Sequence, residues 1–445
     1  MAMMAAKFTT PPARAADTSS IARFALGLRF QTLPPKAVEW AKTAILDCLG
    51  VAVAGSRETS SQIAAELARQ EAARRQTSVY GHAFLSSPAQ AAFVNGISAH
   101  ASDFDHSFVV GGQPSAPIIP AVFALGEALS SSGKQILEAY AAGFELAANL
   151  ALAGQSGEGG GVPPGAYGAA LACAKLLRLS EPQIQMSLAI ASAMVSGLGA
   201  TQGAMGKPLA VGLAARAGVQ AAQLAKNGFT AVPVDLPPLP NLGRQSALEK
   251  YGVRLKPYPC GGLAHTSIYA TIQLRNQNSI APGAVESVEV RVPQNTADTI
   301  KYRIPQSGLE GKFSMPYLVA RALLDGQVTL DSFTDAAVRD PKILALLEKV
   351  EMKVDLSLPP STSPDGSRAA AVAIRMNNGQ TFARYERFPK GSSQFPMTPD
   401  ELNDKVRTCF RPVIGLGRCE RVIAYVSRLQ TLPGVKPLAA LLLGK

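Results

Sequence analysis

The chain has 445 residues, of which 47% are hydrophobic and 17% charged. This balance excludes an intrinsically disordered protein, and the length exceeds that of one ordinary hydrophobic core, so we expect two domains. The net charge of +11 favours anionic ligands, but no basic tract is interleaved with aromatic residues, which argues against nucleic-acid binding. The five cysteines form no CxxC pair and no metal-ligand spacing, so reduced thiols and a cytoplasmic location are expected.

Apolar residues recur at helical spacing through most of the first half of the chain. Residues 1–20 have no continuous apolar core, and we expect a short disordered tail there rather than a secretory signal. Residues 186–205 carry no charge, but polar residues and glycines interrupt them, which favours a buried helix and loop over a membrane span. The predicted helices are 21–28, 35–56, 60–74, 86–100, 117–129, 134–152, 166–179, 181–198 and 208–227.

The pattern changes near Tyr258, after which several segments alternate between apolar and polar residues as half-buried strands do. Asn377-Asn-Gly379 is a hairpin turn signal that joins the last two of these segments. Helices are expected between the first two strands and again near the C-terminus. The predicted strands are 285–292, 350–358, 369–375 and 380–388, and the predicted helices are 313–324, 333–349, 399–410, 418–429 and 435–442.

This order of elements predicts a mostly α protein with a smaller α+β domain. We expect a large all-helical domain that covers 21–265 and 400–445, because the C-terminal amphipathic helices can pack back on the first part of the chain. A lid domain with an antiparallel sheet is expected over 266–399.

Lys207 follows a glycine-rich loop at the predicted start of a long helix. Pro208 suits the first helical position, since its missing N–H would be unpaired there, and Asn227-Gly228 is a suitable stop. The positive end of a helix dipole and its unpaired N–H groups attract carboxylate or phosphate. Lys207 is thus a candidate anion clamp or proton donor, and a solvated lysine beside a core helix is the alternative.

Two of the four histidines, His100 and His106, lie with Asp103 and Asp105 just beyond a predicted helix. An Asp–His pair sets the orientation and basicity of an imidazole for general acid–base catalysis. Three alternatives stay open: an aspartate that caps the next helix, a satisfied core histidine at His100, and a metal site. The sequence offers no second ligand cluster, which disfavours the metal.

The stretch Lys256-Pro-Tyr-Pro-Cys-Gly-Gly-Leu-Ala-His265 predicts a stiff, tight turn that leads into a helix. His265 then falls in the first turns of that helix, where the positive dipole end lowers an imidazole pKa and suits a neutral proton shuttle. A buried histidine that closes the helix end is the alternative. Within the same turn, Tyr258 is a further candidate hydrogen-bond donor.

Four motifs stand in consistent order along the chain: Ala92-Phe-Val-Asn-Gly-x-x-x-His-x-x-Asp-Phe-Asp105, Pro114-Ser-Ala-Pro-Ile-Ile-Pro120, Gly206-Lys-Pro-Leu-Ala-Val-Gly212 and Lys256-Pro-Tyr-Pro-Cys260. Together they resemble the MmgE/PrpD family of dehydratases, decarboxylases and an epimerase. The resemblance covers residues 21–429. It implies a large helical domain, a smaller lid domain, a homodimer, and an interdomain site for small polycarboxylates without metal or organic cofactor.

Carried over residue by residue, the resemblance implies catalytic roles for Asp103, Lys207 and His265. This chain departs from the family where a His-Pro-Ser stretch is usual and Gln113-Pro-Ser stands instead. The glycine-rich loop over 154–165, a candidate mobile lid, carries no histidine where the family usually has one. His106 replaces the last aspartate of an Asp-Phe-Asp-Asp run. The residues expected to contact the substrate are Gln113, His106, Tyr258, Tyr167 and His100.

The resemblance therefore predicts an enzyme that moves a proton next to a carboxylate of a small polycarboxylic acid. Lys207 would hold a carboxylate and stabilise an enolate-like charge, while His265 transfers the proton and Asp103 orients or shares it. We expect a lyase, either a dehydratase or a decarboxylase. An epimerase that reprotonates the same intermediate from the other face is one alternative, and a non-catalytic binding protein is another.

Overall fold

The computed structural model of the protein describes residues 18–71, 73–155, 163–195 and 203–444. The tail expected over 1–20 lies outside these residues, except for its last three, which belong to the first helix. Most of the expected lid loop over 154–165 also lies outside them. Among the described residues, no helix combines the length and the apolar character that a membrane span requires.

Helices make up the first half of the chain, as the apolar spacing predicts. Prolines open several of them, at Pro35, Pro88 and Pro164, where the missing N–H has no helical partner to lose. The elements are α1 (Thr18–Gly27), α2 (Pro35–Gly55), α3 (Thr59–Gln70), β1 (Thr77–Ser78), β2 (Leu85–Ser86), α4 (Pro88–Ala101), α5 (Ser115–Leu129), α6 (Gly133–Leu152), α7 (Pro164–Leu176), α8 (Glu181–Val195), α9 (Gly206–Lys226), α10 (Ala247–Tyr251) and α11 (His265–Gln277).

The sheet expected in the second half is mixed rather than wholly antiparallel, which corrects the sequence prediction. Its order is β4-β3-β5-β6, with β3 (Val285–Val292) parallel to β4 (Val350–Val354). The other two pairs, with β5 (Ala370–Met376) and β6 (Thr381–Glu386), are antiparallel. The parallel pair follows from the long helical connection between β3 and β4, because such a crossover returns the chain in the same direction.

That connection contains short helices, and one of them corrects a predicted boundary. The helix expected over 333–349 is two helices, because Pro341 keeps Asp340 out of the helical region (ψ 121°) and begins a new helix. Both α11 and two helices of the connection pack against the sheet. The elements are α12 (Gln294–Thr299), α13 (Gly308–Gly311), α14 (Met315–Asp325), α15 (Asp335–Val338) and α16 (Pro341–Leu347).

The C-terminal helices α17 (Pro399–Ile414), α18 (Leu416–Ser427) and α19 (Lys436–Leu441) return to the first half of the chain. Both α17 and α18 pack on α2, and Phe410 belongs to the same buried core as the first nine helices. A second core contains apolar residues between Cys260 and Met376. These two cores are the basis on which we propose the helical domain (21–265 with 400–445) and the lid domain (266–399).

Two glycines bring α6 and α7 into backbone contact. A Cβ atom on Gly143 would lie 2.4 Å from the carbonyl oxygen of Gly168, and a Cβ atom on Gly168 would lie 2.7 Å from that of Gly143. Both residues have ordinary helical backbone angles, so glycine is required here for the close approach of the helices and not for its conformational freedom.

We therefore expect Gly143→Ala to destabilise the protein, because the added methyl group forces two packed helices apart. Such overpacking costs about 1–3 kcal/mol, which a lower thermal midpoint in calorimetry would report. Gly417→Ala on α18 is the matched control, since a Cβ atom there meets nothing within 4 Å. An unchanged midpoint for Gly143→Ala would contradict this account of the helix contact.

Candidate active site

The loop that follows α4 is fixed by three buried lysines, which we call the lysine clamp. Each lysine donates a hydrogen bond to one of three successive backbone carbonyl groups. Asp103, in the middle of the loop, has a φ of 51°, in the left-handed region that side-chain-bearing residues rarely adopt. The three bonds run from Lys312 to Ser102 (2.8 Å), from Lys256 to Asp103 (2.9 Å) and from Lys405 to Phe104 (2.8 Å).

The carboxylate of Asp103 is buried and accepts two charged hydrogen bonds. Its Oδ1 atom lies 2.9 Å from Nζ of Lys207 and 2.7 Å from Nζ of Lys256. Its Oδ2 atom has no hydrogen-bond partner among the described residues. Burial alone would raise the pKa of Asp103, but the charges of Lys207 and Lys256 outweigh burial and hold that pKa well below its usual value. Asp103 is therefore ionised at neutral pH.

Lys207 is the second residue of α9, so it lies in the first turn of this helix, which begins two residues before the predicted start at Pro208. Its ammonium group stands 5.5 Å from the centre of the Phe313 ring, which belongs to the second core. The side chain keeps 20% of its surface exposed, in contrast to the 2% of Lys256. Lys207 thus lies at the positive end of the α9 helix dipole and contacts the Asp103 carboxylate. Solvent reaches its side chain there.

A cavity of about 900 Å³ lies over this cluster and is lined by residues of both cores. Lys207, Lys256 and Arg368 bring positive charge to its wall. Asp103 is the buried carboxylate of the wall, and Asp298, which is exposed, is the other acidic residue among the described lining residues. No histidine is among these described lining residues. The cavity is therefore built to attract anions.

The structure places only some of the predicted substrate contacts in this cavity. Gln113, just before α5, lines it as expected. The hydroxyl group of Tyr167 instead donates to Oγ of Ser192 at 3.3 Å, and Tyr167 is not among the lining residues. The ring of Tyr258 packs edge-on against that of His265, with 5.3 Å between the ring centres. Neither tyrosine has the contact with the cavity that the sequence suggested.

His100 and His106 are buried partners of other aspartates. Nδ1 of His100 lies 3.0 Å from both carboxylate oxygens of Asp105. Nδ1 of His106 lies 2.8 Å from Oδ2 of Asp47, whose Oδ1 atom lies 2.6 Å from Nζ of Lys405. Since neither histidine lines the cavity, we do not retain them as substrate contacts. The alternative of a satisfied core histidine describes His100 well.

His265 is the first residue of α11, as predicted, but its side chain turns into the second core. Its Nε2 atom lies 3.3 Å from the carbonyl oxygen of Cys260. Burial, together with the charges of Lys256 and Arg368, holds the pKa of His265 well below its usual value, so the imidazole is neutral. The preceding turn presents Gly261 and Gly262 to the cavity instead. His265 is therefore not among the described residues that line the cavity, and its catalytic role stays a prediction.

Sequence reasoning missed three cationic residues of this site. The turn signal around Lys256 predicts a turn and no charge contact, and no motif marks Lys312 or Arg368. A weak signal is a cationic residue next to apolar ones, as in Val253-Arg-Leu-Lys256-Pro and Arg368-Ala-Ala-Ala-Val. The convergence of these cations depends on contacts between distant parts of the chain, so no local pattern announces it.

Three side chains with metal-binding groups lie within 4.8 Å of one another, namely His100, Asp103 and Asp105. The ammonium groups of Lys207 and Lys256 already contact the Asp103 carboxylate. They supply the positive charge that a cation would bring, and they would repel one. The expectation that no metal is bound stays a prediction.

We expect the two lysines on Asp103 to differ in their effect on stability. Lys256→Met removes a fully buried partner and should cost about 3–5 kcal/mol in the free energy of unfolding. Lys207→Met removes a partly exposed partner and leaves Asp103 paired with Lys256, so its cost should be about 1 kcal/mol. Urea denaturation followed by circular dichroism measures both, and equal losses would contradict the assignment of Lys256 to the clamp.

A second prediction concerns pH and His265. In the unfolded chain this histidine binds a proton with a pKa of about 6.5, while in the folded chain it stays neutral to lower pH. The unfolded chain therefore binds more protons below that value, and the free energy of unfolding should fall as pH drops from about 7.5 toward 5.

The variant His265→Gln lacks this group and should show a shallower fall of the unfolding free energy over the same pH range. His82, whose pKa is also lowered by burial, adds to the fall in both chains, so the difference between them isolates His265. Identical pH profiles would show that His265 is not a buried neutral imidazole.

Comparisons with known proteins agree with the family that the motifs indicate. The model of the MmgE/PrpD N-terminal domain matches residues 19–237, and that of the MmgE/PrpD C-terminal domain matches 258–431. The chain is 27% identical to the cis-aconitate decarboxylase of Homo sapiens, over 96% of this chain and 94% of the relative. The corresponding values for the enzyme of Aspergillus terreus are 28%, 97% and 96%.

The cis-aconitate decarboxylase of Mus musculus is 27% identical, over 96% of this chain and 93% of its own length. All three relatives bear the name of a lyase, which agrees with the type of enzyme expected from the sequence. Both family models match in chain order and together cover most of the sequence. The chain therefore belongs to the MmgE/PrpD family.

Proposed function

We propose that this protein is a cofactor-independent lyase that removes one carboxylate of a small, unsaturated polycarboxylic acid as carbon dioxide. The observation that carries the proposal is the charge of the cavity. Three cationic side chains, Lys207, Lys256 and Arg368, line it, and Asp103 is the buried carboxylate among them. An acid with two or three carboxylates complements this excess of positive charge. The names of the relatives support the same substrate class, with cis-aconitate as the first acid to test.

The reaction needs a group that stabilises the electron pair released by the broken bond, and it needs a proton donor. Lys207 can serve in both roles. When the bond between carbon and the leaving carboxylate breaks, its electron pair moves through the adjacent double bond toward a second carboxylate. Lys207, at the positive end of the α9 dipole, stabilises this enolate-like charge. Its ammonium group then gives a proton to carbon and regains one from water. Carbon dioxide and a dicarboxylate one carbon shorter leave the site.

Asp103 supports this step by holding the ammonium group of Lys207 in place. The 2.9 Å contact between the ionised carboxylate and the ammonium group fixes the position of Nζ. In turn, Lys256 and the lysine clamp hold Asp103. The position of the Lys207 ammonium group, the proton donor, therefore depends on the loop after α4.

The described residues favour decarboxylation over the two other reactions of the family. Dehydration requires a general acid beside the leaving hydroxyl group, and no histidine that could act as one is among the described lining residues. Epimerisation requires acid–base groups on opposite faces of the carbon. Lys207 and Asp103 are hydrogen-bonded to each other and hence lie on one side.

We expect the protein to release carbon dioxide from cis-aconitate, and we expect Lys207→Ala to lower kcat at least about a hundredfold through the lost charge stabilisation. Proton NMR of the product and a carbon dioxide assay measure the reaction. Lys226→Ala is the matched control, because Lys226 is exposed at the other end of the same helix, roughly 28 Å away. This control should retain full activity.

Other outcomes would contradict the proposal in distinct ways. Loss of water from 2-methylcitrate without carbon dioxide would identify a dehydratase. Deuterium uptake from deuterated water into a homochiral acid, without elimination, would identify an epimerase. Binding of these acids without turnover would indicate a non-catalytic relative, and full activity of Lys207→Ala would refute the role of this lysine.

A further inference from the structure

Arg368 is a buried cation that the reaction proposed above leaves without a role. It stands just before β5, lines the cavity and is only 5% exposed. Its Nη1 atom donates to the carbonyl oxygen of Gly262 at 3.1 Å, while its Nε atom has no hydrogen-bond partner among the described residues. No carboxylate of the described residues forms an ion pair with it, although most buried arginines have such a partner.

The surroundings make this arrangement costly for the folded protein. Burial, together with the charge of Arg254, holds the pKa of Arg368 well below its usual value. Arg254 is itself buried, and its Nη2 atom donates to the carbonyl oxygen of Gly366 at 2.9 Å. Two buried guanidinium groups with mainly backbone partners destabilise a fold unless an anion compensates them. Positions that break the usual rules of stability in this way are frequently ligand sites.

Gly262 shows that Arg368 and Lys256 approach one point of the cavity wall. A Cβ atom on Gly262 would lie 2.7 Å from Nη1 of Arg368 and 3.6 Å from Cε of Lys256. The two cationic side chains therefore flank the same glycine, which itself lines the cavity. Lys256 gives two hydrogen bonds to Asp103, to its carbonyl group and to its carboxylate, and an ammonium group has a third donor.

We propose that Arg368 and Lys256 bind a second carboxylate of the substrate over Gly262, beside the one held by Lys207, and thereby select acids with two or more carboxylates. This inference rests on the proposed function, because it assigns a substrate group to a further part of the same cavity. A guanidinium group binds a carboxylate through two parallel hydrogen bonds, which gives geometric selectivity as well as affinity. Lys256, which contacts Asp103, links the two carboxylate positions.

Binding of unreactive acids to the full chain tests this selectivity without turnover. The probes are tricarballylate, a saturated tricarboxylate, and propionate, which has one carboxylate. Isothermal titration gives the affinity for the first, and competition gives that for the second. Arg368→Met should weaken tricarballylate binding by about tenfold to a hundredfold and leave propionate binding unchanged. Arg384→Met, on β6 and paired with Glu386, is the matched control and should change neither.

A second variant, at Gly262, disturbs the position of Arg368 without changing Arg368 itself. Gly262 does not have a positive φ, so alanine fits its backbone, but the methyl group would displace the guanidinium group of Arg368. Gly262→Ala should therefore reproduce the selective loss of tricarballylate affinity, and it decides the matter if Arg368→Met does not fold. Unchanged tricarballylate affinity, or an equal loss for propionate, would overturn the inference.

The two proposals fail in distinguishable ways. If the protein binds tricarballylate through Arg368 but releases carbon dioxide from no acid, the proposed function is wrong and the second carboxylate site stands. If carbon dioxide is released and Arg368→Met keeps the full selectivity of the wild-type chain, the site is wrong and the function stands.

Discussion

Three buried lysines fix the backbone of the loop after α4, and the rest of the site depends on this constraint. The lysines come from the turn before α11, from the segment before α14 and from α17, so the loop is complete only when both cores and the C-terminal helices are in place. Asp103 adopts a backbone conformation that is unfavourable for its residue type, and these bonds hold it there. One carboxylate thus receives its position from three distant parts of the chain.

The charges around this loop connect the stability of the protein with the function proposed for the site. Asp103 compensates Lys207 and Lys256, whereas Arg368 has no acidic partner among the described residues. The surplus positive charge lies in a cavity, where partial exclusion of water strengthens its field. A substrate with several carboxylates restores the balance, so affinity and stability of the loaded protein would arise from the same contacts.

The histidines of the first half of the chain strengthen the scaffold beneath this loop. His100 and Asp105 form one buried pair, and His106 joins Asp47 and Lys405 in another. Through the second group, the loop is connected to α2 and α17, the helices that unite the two ends of the chain. His265 is likewise buried, with its ring against that of Tyr258. In the proposed reaction the proton donor is therefore Lys207, which Asp103 holds in place.

The sequence by itself determined most of the long helices, the four main strands, the place of Lys207 at the start of α9 and the family. Each of these follows from local periodicity, from end signals such as Pro208 and Asn227-Gly228, or from contiguous motifs. Only the tertiary structure decided that β3 and β4 are parallel, that His265 is not among the described residues lining the cavity, and that Lys256, Lys312 and Arg368 converge near Asp103. The physical reason is that the spacing of apolar residues fixes which face of an element is buried. Packing between residues far apart in the chain then determines which side chains come into contact. Local sequence patterns do not predict these contacts.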